Sequence, residues 1–449
     1  MTGNKKILFV SLGCDKNLVD SEMMIGILAN HGYSITDDET NADVIVVNTC
    51  CFIHDAKQES INTILEMAAL KENGKLQVLA VTGCLAQRYR EEIQKEIPQV
   101  DVILGTNAFD KIAEAVQKAL EGKKGNFFED INATPVYGKK RMITTGGHFA
   151  YLKIAEGCDK HCTYCIIPKI RGNFRSVPME TLIKEATELA ENGVKELILV
   201  AQETTLYGKD IYGEKSLPRL LKELAKIEGI AFIRLLYCYP EEITDELIEV
   251  MKTEPKVCHY LDMPIQHASD AILKKMGRRT SKKDLLELVE KLRTNIPDIC
   301  LRTTLITGFP GETKADFKVL KEFVEEVRFD RLGVFSYSAE ENTPAANMKK
   351  QVPGFLKDMR RKKIMKLQQS IAFEKAAEST GRKMQVLIEG KLPEDGVYIG
   401  RTYKDAPNVD GYIFVKSDRE LMTGAIICAY VTGSHEYDLI GEEENEFTQ

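Results

Sequence analysis

Ala155-Glu-Gly-Cys158-Asp-Lys-His-Cys162-Thr-Tyr-Cys165-Ile-Ile-Pro168 is the segment from which the rest of the chain can be read. Its three thiols, at Cys-x3-Cys-x2-Cys spacing, share one short loop, so the sulfurs can reach different corners of a single inorganic cluster. A fourth thiol is missing. A structural zinc site or a fully ligated electron-transfer cluster takes four protein donors, whereas three thiolates on a four-iron cube leave one iron open to a substrate. The competing reading is a zinc loop with His161 as the fourth ligand. His161 adjoins Cys162, however, and a tetrahedron shared by sequence neighbours is strained.

The loop follows an apolar run, Phe149–Ile154, which is the first of six strand candidates. The others are Glu196–Ala201, Phe232–Tyr237, His259–Met263, Cys300–Ile306 and Leu332–Tyr337, most of them followed by helical periodicity, as in Met179–Ala190, Leu217–Ile227, Asp245–Thr253 and Lys282–Thr294. Six such units are two short of a closed eight-unit barrel, so the pattern predicts an open, partial (β/α)6 barrel. Chemistry in such barrels belongs to the loops after the strands. Cys158–Cys165 lies there, and so do Gln202-Glu203-Thr204, Tyr239-Pro240, Pro264-Ile-Gln266-His267 and Gly308-Phe-Pro-Gly311-Glu312.

Upstream, Lys5 to Glu121 alternates buried-strand runs with amphipathic ones. Ile7–Leu12, Asp43–Asn48, Val78–Thr82 and Val102–Gly105 read as parallel strands, with helices near Ser21–His31, Ala56–Leu70, Arg88–Ile97 and Ala108–Leu120. This predicts a doubly wound α/β domain. Cys14, Cys50 and Cys84 follow its first, second and third strands, in the contexts Leu-Gly-Cys14-Asp, Asn-Thr-Cys50 and Thr-Gly-Cys84. In a parallel open sheet those positions share the carboxyl edge, where ligands bind. One such thiol would read as a small buried hydrophobe; three at equivalent positions predict a second three-cysteine site. Cys51, next to Cys50, is an alternative third ligand.

A long helical pattern from Pro353 to about Glu378 leads to five short strands, Met384–Ile388, Gly396–Ile399, Gly411–Val415, Ala425–Val431 and Tyr437–Ile440, which predict a small antiparallel β-barrel of the OB-like kind. From Gly381 to Gln449 there are seven Lys and Arg against thirteen Asp and Glu, a local charge of -6, part of it in the tail Gly441–Glu446. A module gripping RNA should be basic, because phosphate neutralisation supplies most of its affinity. An acidic one suits a basic protein, or serves solubility alone.

Composition sets the outer bounds. At 449 residues the chain should form two to four domains, and 43% hydrophobic with 29% charged residues is the balance of a soluble globular protein. Met1-Thr-Gly-Asn-Lys-Lys6 runs directly into a strand with no apolar leader, and no apolar run reaches the ~18 to 20 residues of a membrane span. Eleven cysteines in such a chain indicate metal or redox ligation in a reducing cytoplasm rather than a disulfide framework. A net charge of -7 argues against a surface that grips nucleic acid throughout.

With Tyr164 before its last thiol, Cys158-x3-Cys162-x2-Cys165 resembles the signature of the radical S-adenosylmethionine (SAM) superfamily. Taken with the amino-terminal thiols and the terminal strand module, nearly the whole chain resembles the radical SAM methylthiotransferase family. That resemblance implies two 4Fe-4S clusters and SAM as cofactors. It assigns Cys14, Cys50 and Cys84 to an auxiliary cluster, choosing Cys50 over Cys51 because a ligand directly follows Asn-Thr, and it assigns Cys158, Cys162 and Cys165 to the radical cluster. It places Tyr164, Glu203 and Gly308 at the SAM site, Glu203 as acceptor of its ammonium. It divides the chain at 1–135, 136–375 and 376–449, the last a TRAM-like β domain. Ser11–Glu22, Ala56-Lys-Gln-Glu-Ser60 and Gly400–Gly411 resemble the branch that modifies the β-carbon of an aspartate in protein twelve of the small ribosomal subunit, free or on the ribosome, rather than the branch acting on transfer-RNA adenosine. An electron donor such as flavodoxin or ferredoxin is implied as well, with RNA contact not favoured. Two departures stand out: Cys51 where the family commonly has glycine, and Ala201-Gln-Glu203 where many radical SAM enzymes show Gly-Gly-Glu.

Overall fold

Near-continuous runs of Val, Ile and Leu make the amino-terminal strands β1 (Lys6–Ser11), β3 (Val44–Thr49), β4 (Val78–Gly83) and β5 (Val102–Leu104). Every residue of β3 and β4 is buried, as befits strands covered on both faces. This computed structural model describes residues 5–135, 138, 140–393 and 396–444. The chain forms two compact units: Met1–Thr144 with Lys153–Thr181 and Ser338–Ala346 in one, Thr145–Leu152 with Leu182–Tyr337 and Asn347–Gln449 in the other.

In the first unit the four expected strands are extended by β2 (Ser34–Ile35) and β6 (Gly125–Phe127), giving a parallel sheet of order β2-β1-β3-β4-β5-β6. Ser34-Ile35 and Gly125-Asn-Phe127 lack the continuous apolar run that marks the equally short β5, so sequence alone does not show them. Because β1, β3 and β4 are neighbours, the loops that follow them lie side by side at the carboxyl edge. The same unit holds the hairpin of β8 (Ala155–Glu156) with β9 (Arg175–Ser176), which brackets the cysteine loop 158–165. Ile166 and Ile170, just beyond that loop, join the amino-terminal core alongside Val47, Leu85 and Ile103.

The second sheet is β7 (Phe149–Lys153), β10 (Glu196–Val200), β11 (Phe232–Leu235), β12 (Val257–Gln266), β13 (Cys300–Thr307) and β14 (Arg331–Ser336), in the order β14-β13-β12-β11-β10-β7. The pairs from β10 to β14 are parallel and the sheet stays open between its two edges, the partial six-strand barrel that the repeats predict. The helix Gly354–Ala377 leads into a closed barrel of β15 (Lys383–Lys391), β16 (Val397–Arg401), β17 (Ile413–Lys416), β18 (Ile426–His435) and β19 (Asp438–Glu443), of order β15-β16-β17-β19-β18. One of its pairs, β17 with β19, is parallel, so the barrel is not antiparallel throughout. The reason is topological: β19 returns from its hairpin with β18 into the gap beside β17 and must run alongside it. Among the described residues no helix is long and apolar enough to cross a membrane.

The loop between β16 and β17 is anchored against side chains on the strands of the second sheet. Arg234 on β11 is fully buried, pairs with Glu196 at 2.7 Å and donates to the carbonyls of Tyr403 (2.6 Å) and Thr402 (3.2 Å). Arg401 joins that group through Glu196 (2.7 Å) and Glu389 (2.6 Å), and His148 lies 3.1 Å from Glu389. Further along, Arg331 pairs with Asp405, and the Tyr260 hydroxyl donates to Asp410 at 2.7 Å. The sequence count of -6 already includes Arg401, Arg419 and Lys383, which pair with Glu389, Glu443 and Glu444, but Asp405 and Asp410 are answered by Arg331 and Arg302 from outside the module, so the count overstates its acidity by those two carboxylates. The last two residues of the tail Gly441–Glu446 lie outside the described residues.

Candidate functional site

Each amino-terminal thiol occupies the first turn after its strand. Cys14 caps the helix Asp15–Asn30, Cys50 follows β3 directly, and Cys84 is the first residue of the helix Cys84–Arg88. Glycines set their approach. Gly13, at φ +92°, is so close to the second loop that an added Cβ would stand 2.7 Å from Cys50 Cβ and 3.0 Å from Cys50 Sγ. Gly83, at φ +89°, would meet Asn48 Oδ1 at 2.3 Å. A side chain at either position would push the loops apart.

Asparagines then stitch the edge together. Asn17 Nδ2 donates to the carbonyls of Leu12 (3.1 Å) and Thr49 (2.9 Å), while Asn48 Nδ2 donates to Asn17 O (2.8 Å) and Ser21 Oγ (2.9 Å). Ser60 accepts from the Cys50 N–H at 2.9 Å and returns its hydroxyl proton to the Cys50 carbonyl at 2.8 Å. The result is that Cys50 and Cys84 are buried and Cys14 is half-buried, near enough to feel one another electrostatically. Burial, followed by the neighbouring Cys84, pushes the Cys50 thiol up to about 11. Burial also raises the Cys84 thiol, against the opposing charge of Arg171.

Cys51 lies within electrostatic reach of Cys84 as well. It is fully buried in the apolar core with Leu85 and Ile170, its carbonyl accepts from Arg88 at 3.3 Å, and burial drives its thiol up to about 12.

The second trio sits on the loop inside the β8–β9 hairpin. The Cys158 N–H donates to Gly172 O at 3.1 Å and the Cys165 N–H to Cys162 O at 3.0 Å, so the three residues follow a tight course. Cys158 and Cys162 are buried, Cys165 and Tyr164 half-buried, and His161 is exposed with φ +50°. Among the described residues no three thiol, imidazole or carboxylate groups close on a point where one metal ion would sit. The donors at each place are three thiols on adjoining turns, which is the ligand chemistry of an iron-sulfur cluster.

Joining the two segments is a buried group that the sequence reading missed. Lys153, at the end of β7, pairs with Asp20 and with Glu156 (2.9 Å). Arg171, six residues past Cys165, pairs with Asp20 at 2.8 Å and Glu156 at 3.2 Å, and also donates to Asn17. All are almost completely buried. The available signal was a lysine inside the apolar run Phe149–Ile154 and an arginine closing Ile166-Ile-Pro-Lys-Ile170. An ionic side chain in such a setting must find a partner.

At the carboxyl edge of the second sheet, Glu203 is fully buried, and its Oε1 accepts from the Thr205 N–H at 2.9 Å and from the Thr205 hydroxyl. Gly308 follows β13, its N–H donates to Glu312 Oε2 at 2.6 Å, and a Cβ there would lie 2.2 Å from Lys357 Cγ. Glu312 is held on its other side by Arg360 at 2.7 Å. His267 Nδ1 accepts from the Ser269 N–H at 2.9 Å, a bond that orders its own loop. Tyr237 and Gln266, neither of them glycine, take left-handed backbone at φ +60° and +70° at strand ends of this edge. Strain of this kind gathers at functional edges.

Three family models match the chain: Uncharacterized protein family UPF0004 over residues 6–105, the Radical SAM superfamily over 152–324 and the TRAM domain over 380–443. Fold and site thus define a radical SAM protein with an additional amino-terminal cysteine-bearing domain and a terminal barrel. Among curated proteins, the ribosomal protein uS12 methylthiotransferase RimO of Lachnoclostridium phytofermentans is 62% identical over 98% of this chain and 100% of its own length. Proteins of the same name from Clostridioides difficile (51%, covering 97% of this chain and 98% of theirs) and a Thermoanaerobacter species (48%, 98% and 100%) are similar over the same span. The chain belongs to this RimO family of radical SAM methylthiotransferases. Among solved structures, the radical SAM methyltransferase TsrM from Kitasatospora setae, with cobalamin and a [4Fe-4S] cluster bound, superposes with a TM-score of 0.55 at 13% identity, covering 88% of this chain and 77% of that one, a likeness of fold.

Proposed function

We propose that this chain adds a methylthio group to the β-carbon of an aspartate in ribosomal protein uS12, in the cytoplasm. The observation that carries the reading is the convergence of Cys14, Cys50 and Cys84 after three neighbouring strands, in the same compact unit as Cys158, Cys162 and Cys165. Each trio would hold one 4Fe-4S cluster with a protein donor to spare. When bound, the clusters and SAM supply the sulfur-carrying iron and the one-electron chemistry that opens an unreactive carbon-hydrogen bond.

The chain's own part is to bind, orient and keep water out. Gly13 and Gly83 permit the close approach of the first trio, Asn17 and Asn48 fix the loops that carry it, and burial of four of the six thiols keeps ligating sulfur from solvent. Tyr164, on the radical loop, and Glu203 and Gly308, on the carboxyl edge of the open sheet, are assigned to SAM, Glu203 as the anionic acceptor of its ammonium. The proposed division is 1–135 for the auxiliary-cluster domain, 136–375 for the radical SAM domain and 376–449 for the TRAM-like domain. A flavodoxin or ferredoxin is the electron donor that fits. Free uS12 and uS12 within the small subunit are separate arms of the test.

Reconstituted chain given SAM, sulfide and reductant is offered isolated uS12, small subunits, or transfer RNA. A methylthio mass gain on the aspartate-bearing uS12 peptide, with release of 5'-deoxyadenosine, is expected. Mass gain on transfer-RNA adenosine instead would move the chain to the other branch of the family.

A further inference from the structure

Ser338-Ala-Glu-Glu-Asn-Thr-Pro-Ala-Ala346 follows β14 in sequence, yet it belongs to the compact unit that carries both thiol trios. It supplies no candidate ligand. Its two acids read from sequence as a solvated loop, but the Glu340 side chain is only 4% exposed and meets that of Arg88, 6% exposed, at 2.9 Å. Arg88 closes the helix that begins at Cys84. Its Nη1 also donates to Cys51 O at 3.3 Å, and its Nη2 donates to Glu341 O at 2.9 Å. One guanidinium therefore joins the loop of Cys50, the helix of Cys84 and this segment. A planar fork held at three acceptors has little freedom to move.

The far end of the segment reaches the radical loop. The Ala345 N–H donates to Thr163 O at 2.9 Å, between Cys162 and Cys165, and Lys169 Nζ donates to Asn342 O at 2.8 Å from the helix Ile167–Arg171. Between these anchors the segment is folded on itself. Ser338 Oγ donates to Glu340 Oε1 at 2.9 Å, Thr343 Oγ1 donates to Glu340 O at 2.7 Å, and Asn342 takes left-handed backbone at φ +63°. Tyr89 Oη donates to Glu341 Oε2 at 3.1 Å, and Lys57, on the helix that follows Cys50, lies 3.7 Å from the same carboxylate. A loose cover has no use for a buried Arg–Glu pair, because taking both ions out of water is costly unless their geometry is held.

We propose that Ser338–Ala346 is a brace that sets the radical cysteine loop at a fixed position relative to the amino-terminal thiols, with Arg88 and Glu340 as positioning residues, so that the chemistry of the two trios falls on one substrate carbon. Misplacing reacting groups by ~1 Å can cost about 100-fold in rate even when every ligand is in place. The inference rests on the reading given under Proposed function.

Full-length parent, E340A, E340Q and R88K are reconstituted with iron and sulfide and given SAM, reductant and uS12. E340A removes the acceptor of Arg88 and leaves all six thiols, so iron should stay at the parent's level and 5'-deoxyadenosine should still form. Methylthio product per 5'-deoxyadenosine should fall about tenfold or more. E340Q keeps an oxygen for Arg88 Nη1 and should return to within about threefold of the parent. Hydrogen exchange on the same proteins gives a reading independent of turnover: the Ala345 amide should exchange about tenfold faster in E340A than in the parent. An unchanged product ratio or unchanged Ala345 exchange in E340A overturns the proposal, as does an E340Q no better than E340A. Should E340A fail to take up iron, R88K carries the same two measurements, since a single ammonium cannot serve Glu340, Cys51 O and Glu341 O together. Loss of iron in both variants overturns the proposal too, because the segment would then support ligation rather than alignment. A parent that makes no methylthio product on uS12 overturns the reading under Proposed function instead, and the Ala345 exchange still judges the brace.

Discussion

Replacing Gly13 with alanine asks whether the contact between the first and second strand loops is what assembles the amino-terminal thiols. Left-handed backbone at φ +92° costs an alanine about 1–2 kcal/mol. The new methyl carbon would also stand 2.7 Å from Cys50 Cβ and 3.0 Å from its sulfur, and overpacking of that sort costs a further ~1–3 kcal/mol. Gly32 provides the control: it has φ +85° with nothing within 4 Å of an added Cβ, so Gly32→Ala carries the backbone cost alone. The difference between the two variants is the steric part, equivalent to roughly a 5- to 140-fold change in a local equilibrium. Because the collision falls on a ligating residue, the readout is iron and acid-labile sulfide after reconstitution. Gly32→Ala should retain about eight irons per chain, and Gly13→Ala should fall to about four with the radical-site signal intact. Full iron in Gly13→Ala would show that the thiols do not depend on this approach, and the reasoning would fail.

Three further outcomes follow from neighbouring features. Cys51→Ala should leave the iron content unchanged at a cost near ~1 kcal/mol, since that thiol is buried among apolar side chains, whereas Cys50→Ala should halve the iron; the same elemental analysis decides between them. Arg401→Met strips the buried Glu196 and Glu389 of a shared partner and should destabilise by about 3–5 kcal/mol, seen as a lower midpoint in differential scanning calorimetry. Burial raises the Glu389 carboxyl, but the hydrogen bond from His148 and the charge of Arg401 outweigh it and hold the group below its ordinary value; Glu196 is held down likewise by Arg401 and Arg234 against burial. A depressed carboxyl stabilises the fold above the unfolded value of about 4.3 and loses that contribution as pH falls through the folded value. The thermal midpoint should therefore drop below about pH 4.5, and this acid limb should be shallower in Arg401→Met.

Much of the site was legible because thiols are rare and strand ends are predictable. Once β1, β3 and β4 are recognised as parallel strands, their following cysteines must share an edge, and the sheet order makes them adjacent. What spacing does not encode is which neighbour reaches that edge. Asp20 and Glu156 look like ordinary surface charges in a one-dimensional reading, and the burial of the group follows from packing between segments 133 to 151 residues apart. The two edge strands of the first sheet, β2 and β6, and the parallel β17–β19 pair were hidden for a related reason: pairing direction and edge extension are set by tertiary neighbours rather than by local sequence.

The segment Gly400–Gly411, read from sequence as a mark of substrate branch, is spent on internal anchoring: Thr402, Tyr403, Asp405 and Asp410 answer arginines and a tyrosine on the parallel strands. A truncated chain ending before residue 380 would strand Arg331 without its carboxylates and leave Arg234 with Glu196 but without its two carbonyl acceptors, so such a fragment should precipitate or unravel. Grafting a foreign terminal barrel onto this enzyme would succeed only if its connecting loop brought matching acids.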